Sequence, residues 1–270
     1  MIRRQLVLFI AASCVIAVGL MAMTVAGAPR GLVLLQGAVG LAAVIVAALG
    51  SVWLPKSTVL SARLVCIAAL ILMAFPFLSV GLDGVHRWFA LGPIQIQPAV
   101  IALPLVAWYA VQEPDDRLAI GALLVAGVIA AFQPDQQAAQ GVTAVTLCMV
   151  LLVRPAPIWW LAFGASFILG IISGFGETLE PVPYVEQVLS RALQAHWTFG
   201  LVAALGLVAV PLTMLAASPG RQPMALVMAA LWLGFTSACL AGQFPSPVMG
   251  YGLSWVLGFA LSLGLVARRV

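Results

Sequence analysis

Long apolar runs alternate with short polar breaks along the whole chain. Most runs are long enough to cross a hydrocarbon core of about 30 Å as a helix, and the shorter ones come close to that length. The breaks carry charged residues, prolines and glycines, which are typical of helix ends and turns. The pattern predicts ten membrane-spanning helices over residues 6–27, 32–54, 64–80, 98–112, 118–132, 138–153, 157–173, 198–216, 223–241 and 248–267.

Two of the breaks are defined by their residue types. The acidic, proline-containing stretch Glu113–Asp116 predicts a turn between two spans. The stretch Arg154–Pro157 separates the sixth predicted span from the seventh, because its two prolines interrupt a helix and its arginine marks a membrane interface.

Composition supports placing nearly all of the chain in the bilayer. Hydrophobic residues make up 64% of the sequence, charged residues only 7%, and the mean hydropathy is +1.16. A soluble domain of 270 residues needs far more polar surface. The expected fold class is therefore an all-α polytopic membrane protein with a single domain over 1–270 and a multi-pass location in a cytoplasmic (inner) membrane. The four cysteines lie in predicted spans, so neither a disulfide framework nor a metal site is predicted.

The basic residues predict the orientation. With a cytoplasmic N-terminus, nine of the 12 lysines and arginines face the cytoplasm, and only Arg30, Arg87 and Arg191 face outward. This bias requires an even number of spans, so both termini are predicted to be cytoplasmic. The same bias accounts for the net charge of +4, so this charge gives no reason to expect a nucleic-acid partner, and none is predicted. A cleaved signal peptide is an alternative for the first run, since Arg3 and Arg4 precede it and 26–28 resembles a cleavage site, although its apolar stretch is long for a signal.

The predicted outer face holds five acidic residues, Asp83, Asp135, Glu177, Glu180 and Glu186, against three basic ones. Two loops on this face, 81–97 and 174–197, are longer than turns. Such loops between packed helices are often functional. Arg87 with Trp88 has a simpler interpretation, as a snorkelling cation beside an interfacial aromatic ring. Asp135 could be only an N-cap, but a carboxylate beside an apolar run is also a functional candidate. Val185, Val188 and Leu189 have helical spacing, so the second loop could form an amphipathic interfacial helix with its acids in water.

Three motifs in order resemble the SEDS family (shape, elongation, division and sporulation), the RodA- and FtsW-type proteins of cell-wall synthesis. After the third span, His86-Arg87-Trp88 and then Gln97-Pro98 stand where the family has Arg-Arg-Trp and Gln-Pro-Ser-Glu. After the fifth, Gln133-Pro134-Asp135 matches Gln-Pro-Asp. Before the tenth, the register of a Pro-x-Pro-Phe-x-Ser-Tyr-Gly-Gly-Ser run is kept by Pro245, Pro247, Tyr251, Gly252 and Ser254.

The departures from the family pattern concern its chemistry. The Ser-Glu after Gln-Pro is replaced by Ala99-Val100, and the outer loop between the seventh and eighth spans is much shorter than in the family. Aligned at its end, this loop places Glu186 at the position of the family's catalytic aspartate. The resemblance therefore implies a shortened, divergent member.

The resemblance implies a peptidoglycan glycosyltransferase that polymerises lipid-linked disaccharide (lipid II) on the outer face, usually with a penicillin-binding transpeptidase as partner. Such a displacement needs a carboxylate base and positive charge for the leaving diphosphate. The expected catalytic residues are Glu186 and Asp135; the expected binding residues are Arg87, Trp88, Arg191, Gln133 and Tyr251. Whether a divalent cation such as magnesium takes part stays open, and the membrane lipid is an expected contact.

Two other functions remain open. One is a catalytically inert relative that binds a transpeptidase or lipid II as a regulator, favoured by the short loop and the lost Ser-Glu. The other is a flippase or transporter, disfavoured because the predicted spans carry almost no ionisable side chain at mid-span; Gln36 is the nearest polar case.

Overall fold

The fold is a bundle of α-helices with one short β-hairpin. A computed structural model describes residues 2–53, 58–82, 84–92, 94–176, 179–216, 222–240 and 243–268. In this part of the chain the helices are α1 (Ile2–Val25), α2 (Arg30–Trp53), α3 (Val59–Ala74), α4 (Pro98–Gln112), α5 (Arg117–Phe132), α6 (Gln136–Cys148), α7 (Pro157–Ser173), α8 (Val188–Ala195), α9 (Trp197–Ala216), α10 (Gln222–Cys239) and α11 (Leu253–Ala267). The hairpin pairs β1 (Phe89–Leu91) with β2 (Ile94–Ile96), a 3₁₀ turn (Phe75–Leu78) follows α3, and a π-helical turn (Met149–Val153) extends α6.

Each predicted span coincides with one apolar helix of the described residues. Five are long and apolar enough to cross a membrane: Leu6–Val25, Arg30–Ser51, Val59–Leu78, Gln136–Val153 and Trp197–Ala216. Five more are apolar but shorter: Pro98–Gln112, Arg117–Phe132, Pro157–Ser173, Pro223–Cys239 and Leu253–Ala267. The architecture is that of a polytopic membrane bundle, while the count of ten spans and the cytoplasmic termini stay predictions.

The predicted turn and helix break are confirmed. Asp116 caps α5 by accepting from the Leu118 amide at 2.9 Å, and its carboxylate pairs with Arg63 of α3 at 2.9 Å. At the other break, α7 begins at Pro157, and Arg154 pairs with Asp115 at 2.7 Å. These contacts tie α3, α5 and α7 together at one end of the bundle.

Three local features differ from the sequence prediction. The last helix begins at Leu253 rather than 248, because residues 244–252 form irregular turns. The amphipathic helix α8 begins at Val188 rather than 185, since Val185 uses its carbonyl to accept from the Ser246 amide. The β-hairpin was not predicted; Gly92 provides its turn with a φ of +60°, which residues with a Cβ rarely adopt.

Close contact between α6 and α10 forms one centre of the bundle. A Cβ on Gly234 of α10 would lie 2.5 Å from the Gln140 carbonyl oxygen of α6. Beside this contact, Trp232, Phe235, Trp255 and Phe259 form a buried edge-to-face aromatic cluster, with ring centroids 5.3–6.1 Å apart. By contrast, α2 turns large apolar side chains outward, with Leu34 74% exposed. Such a surface suits hydrocarbon rather than water.

We predict that Gly234→Ala destabilises the protein, because the added methyl group must push α6 and α10 apart. Overpacking of this kind costs about 1–3 kcal/mol. Gly121→Ala is the matched control, since a Cβ at Gly121 of α5 meets nothing within 4 Å. Thermal unfolding in detergent should show a lower midpoint for Gly234→Ala and an equal or higher midpoint for the control. Equal midpoints for the two variants would contradict this account of the contact.

Candidate functional site

Four segments meet at one end of the bundle, which we call the site end. They are the described residues of the hairpin loop 82–97, the start of α6 at 135–137, the loop 179–187 and the irregular segment 244–252. The side-chain nitrogen Nε2 of Gln97 donates to the Asp135 carboxylate at 2.9 Å, and Nε2 of Gln137 donates to the Pro245 carbonyl at 2.8 Å. The Ser246 amide donates to the Val185 carbonyl at 3.0 Å. Residues far apart in sequence are thereby fixed in one constellation.

These segments enclose a cavity of about 220 Å³. Three of the residues predicted to be functional, Glu186, Trp88 and Tyr251, lie in its wall. The remaining lining residues are Leu82, Gln95, Gln97, Leu179, Glu180, Val182, Val185, Pro245, Gly252, Ser254 and Trp255. Carboxylates, amides and aromatic faces thus border one pocket.

Glu186 is the half-buried carboxylate of this cavity. It lies just before α8, and its Oε2 accepts from the Val182 amide at 2.8 Å. Burial raises the pKa of Glu186 above its ordinary value; the Val182 amide, its own backbone amide and the charge of Arg87 partly offset that rise. A carboxylate with a raised pKa is a stronger base than an ordinary glutamate.

Arg87 lies behind the cavity wall. Only 3% of it is exposed, and its guanidinium carbon lies 4.8 Å from the centre of the Phe244 ring and 5.7 Å from that of Trp88. Burial lowers the pKa of Arg87, while the negative charges of Asp135 and Glu186 act to raise it. The cation therefore sits within the electrostatic reach of both predicted catalytic carboxylates.

Asp135 is a helix cap as well as a buried charge. One carboxylate oxygen accepts from the Ala138 amide at 3.1 Å, which confirms the N-cap interpretation, and the other accepts from Gln97. It is fully buried and does not line the cavity, but its partner Gln97 does.

The other two predicted binding residues lie away from the cavity. Gln133 is buried and donates to the Met73 carbonyl at 2.8 Å, which ties the end of α5 to the end of α3. Arg191 is exposed on α8 and is not part of the cavity wall. Asp83 and Glu177, two of the acids assigned to the outer face, lie outside the described residues.

Sequence reasoning did not assign Gln97, Ser254, Trp255 or Glu180 to the site. The Ser254 hydroxyl accepts from the backbone amide of Gln97 at 2.8 Å, which joins α11 to the start of α4. The available signal was that Gln97 and Ser254 both belong to the stretches that resemble the family motifs. Nothing in the sequence marks Trp255 as a site residue, because an aromatic residue within a predicted span is usually part of the apolar core.

The side chains of the described residues do not form a metal centre of at least three His, Cys, Asp or Glu groups. Both oxygens of Asp135 and Oε2 of Glu186 already accept hydrogen bonds from the protein. The described carboxylates therefore present no preformed set of ligands for magnesium.

Comparison with known proteins identifies the fold. The chain matches no protein-family model and no curated protein sequence. Among solved structures it resembles the rod-shape-determining protein RodA of Thermus thermophilus, with a TM-score of 0.63, 21% identity, and alignment over 96% of this chain and 94% of that chain. A substituted form of the same RodA gives a TM-score of 0.64 with the same identity and coverage.

A third similar structure comes from a peptidoglycan synthase complex studied for its coordination of polymerization and crosslinking. It aligns over 96% of this chain and 95% of that chain, with 19% identity and a TM-score of 0.59. The RodA-type resemblance predicted from the sequence motifs is thus confirmed at the level of the fold.

We predict that Asp135→Asn leaves the fold nearly intact, while Asp135→Ala lowers stability. Asparagine keeps an oxygen for the Ala138 amide, and Gln97 can reverse its amide to accept from the new NH₂ group. Loss of the cap in the alanine variant costs about 0.5–2 kcal/mol. The measurement is thermal unfolding of both variants in the same detergent. An asparagine variant as unstable as the alanine variant would show that the charge itself, and not the cap, holds the start of α6.

Proposed function

We propose that this chain is a peptidoglycan glycosyltransferase-like membrane protein of cell-wall synthesis, serving cell shape or division. It polymerises lipid-linked disaccharide at the outer face of a bacterial cytoplasmic membrane, with ten spans and both termini in the cytoplasm. The RodA-type fold and the constellation at the site end support this function. The observation that carries it is the half-buried Glu186 carboxylate in a cavity at the end of the bundle where the motifs converge.

The distribution of charge supports the orientation. Of the nine basic residues that the structure describes, six lie at the end of the bundle opposite the site end: Arg3 and Arg4 at the α1 start, Arg63, Arg117 and Arg154 at or just before the α3, α5 and α7 starts, and Arg268 after α11. The other three, Arg30, Arg87 and Arg191, belong to the site end. Positive charge is enriched on the cytoplasmic side of membrane proteins. The site end then faces outward.

Glu186 is the proposed general base. Glycosyl transfer displaces diphosphate from the anomeric carbon of the donor while the acceptor hydroxyl loses its proton. The Glu186 carboxylate takes that proton as the new C–O bond forms, and the electron pair of the breaking bond leaves with the diphosphate oxygen. The raised pKa of Glu186 suits this role, because a base works best when its pKa approaches the working pH.

Arg87 and Asp135 support the base in this proposal. The charge of buried Arg87 opposes the rise in the pKa of Glu186 that burial causes, and Asp135 holds Gln97 in the cavity wall. Direct contact between Arg87 and the diphosphate requires Phe244 to move, since Phe244 and Trp88 cover its guanidinium. Arg191 is the exposed cation on α8 that a diphosphate at the membrane surface can reach. Trp88 and Tyr251, which line the cavity, complete the proposed binding residues, and Gln133 is left with a structural role between α5 and α3.

The proposed partners are membrane lipid, lipid II and a penicillin-binding transpeptidase. The similar structure from a peptidoglycan synthase complex supports the transpeptidase, because the processes named for that complex are polymerization and crosslinking.

The size of the cavity favours a second candidate, a catalytically inert relative that binds a transpeptidase or lipid II as a regulator. Ligand pockets are usually about 300–1,000 Å³, and the cavity of about 220 Å³ beside Glu186 is smaller. Catalysis on a disaccharide in this cavity thus requires its walls to move apart, whereas a regulator that binds only a transpeptidase has no such requirement. A flippase or transporter has less support: among the described residues, the buried charges are Arg87 and Asp135, both at the site end rather than at mid-span.

We predict that Glu186→Gln reduces polymerisation of labelled lipid II by about 10²–10⁴-fold, since a general base contributes that much. Glu180→Gln is the matched control, an exposed carboxylate in the wall of the same cavity. The assay resolves glycan polymer on a gel, with purified protein in liposomes, a divalent cation, and a transpeptidase present or absent. If Glu186→Gln kept full activity, the base assignment would be wrong.

We also predict a directional pH effect of Arg87. The base must be deprotonated, so activity rises with pH through the pKa of Glu186. The Arg87 charge lowers that pKa, and its removal in Arg87→Gln should therefore move the rising limb to higher pH. Arg87→Lys keeps the charge and should leave the limb nearly in place. A limb that stays fixed in Arg87→Gln, or moves to lower pH, would contradict the electrostatic role.

A further inference from the structure

Gln36 is a fully buried amide in an otherwise apolar and largely outward-facing helix, α2. Both ends of its amide bind the backbone of the irregular segment before α11. Nε2 donates to the Gly250 carbonyl at 3.0 Å, and Oε1 accepts from the Gly252 amide at 2.7 Å. A buried amide is expensive unless it is hydrogen-bonded, and here donor and acceptor are both used.

The segment that Gln36 holds is attached to the loop carrying Glu186. The Tyr251 amide, between the two glycines bound by Gln36, donates to the Tyr184 carbonyl at 2.8 Å. The Ser246 amide donates to the Val185 carbonyl at 3.0 Å, and a Cβ on Gly250 would collide with that same carbonyl oxygen. The backbone immediately before Glu186 is therefore fixed by residues 244–252.

The irregular segment is under strain and needs to be held. Val248 is buried and has a φ of +64°, a conformation that β-branched residues rarely adopt. Such a conformation persists only where surrounding contacts over-determine it. The two hydrogen bonds of Gln36 lie within four residues of this point, on the same segment.

We infer that Gln36 is a positioning residue for Glu186, acting through the backbone of residues 250–252 and 184–185. The effect of Gln36 on catalysis rests on the proposed function. The hydrogen-bonded link from Gln36 to the backbone of residues 184–185 does not depend on that function. α2 packs against α1 and α11, and Gln36 links it to the backbone of residues 250–252.

The first test measures this coupling without any activity. Hydrogen–deuterium exchange is followed by mass spectrometry on the full chain in lipid nanodiscs, in peptides covering 182–187 and 244–254. In Gln36→Leu, exchange should rise in both peptides relative to the wild type and stay unchanged in the α4–α5 turn. The matched control is Gln140→Leu, which removes a glutamine that joins α6 to α10 through Ser237. Faster exchange confined to 244–254, or in neither peptide, would overturn the inference.

The second test separates positioning from simple structural support. In Gln36→Glu the neutral acid can still donate to Gly250 and accept from Gly252, whereas the ionised acid can only accept. At low pH this variant should match the wild type in exchange and activity. As pH rises, exchange at 182–187 should increase over the wild type at the same pH, and the activity profile should gain a falling limb. Gln36→Leu should lose activity by about 10²-fold at every pH, mainly in kcat, as misplacement by about 1 Å can cause.

The outcomes distinguish the two proposals. If exchange rises in both peptides of Gln36→Leu but the wild type makes no polymer, the glycosyltransferase function is refuted and the positioning role of Gln36 stays intact. Polymer made by the wild type, with Gln36→Leu as active as Gln140→Leu, would refute the positioning role alone.

Discussion

Irregular backbone at the end of a membrane bundle must satisfy its own amides and carbonyls, because the neighbouring hydrocarbon offers no hydrogen bonds. In this chain the stretch from 244 to 252 meets that constraint with partners from distant elements: Gln36 of α2, Gln137 of α6, and the carbonyls of Tyr184 and Val185. The same bonds that satisfy this backbone fix the loop that ends at Glu186. The site is thus a consequence of how the bundle packs around the irregular segment before α11.

The buried charges at the site end also stabilise one another. Arg87 is buried under Phe244 and Trp88, where its charge is tolerated because two carboxylates act on it. In return it opposes the rise in the pKa of Glu186 that burial causes. Neither group would keep its charge state as readily alone. This arrangement gives a carboxylate that is a stronger base than usual, with the rise in its pKa limited by a nearby cation, which suits the proposed glycosyl transfer.

The apolar runs predicted every helix that packs as a long element, because length and hydropathy largely determine a membrane helix. The turn at Glu113–Asp116 and the helix break at Arg154–Pro157 can also be predicted from the sequence, since proline and capping acids act locally. The hairpin and the late start of α11 were not predicted, because both depend on contacts between distant segments. At the site, Glu186, Arg87 and Asp135 stood out as charges beside apolar runs, and motif register added Trp88 and Tyr251. Trp255 and the double role of Gln36 could not be inferred, since nothing in the local sequence reveals which backbone a buried side chain will meet.

The most direct measurement asks whether the unaltered chain makes glycan at all. Purified protein in liposomes is supplied with labelled lipid II, with and without a penicillin-binding transpeptidase, and the products are separated on a gel while lipid II binding is measured in parallel. The account predicts a ladder of polymer under at least one of these conditions. Lipid II that binds but is never polymerised would contradict it and identify the chain as an inert relative of the glycosyltransferases.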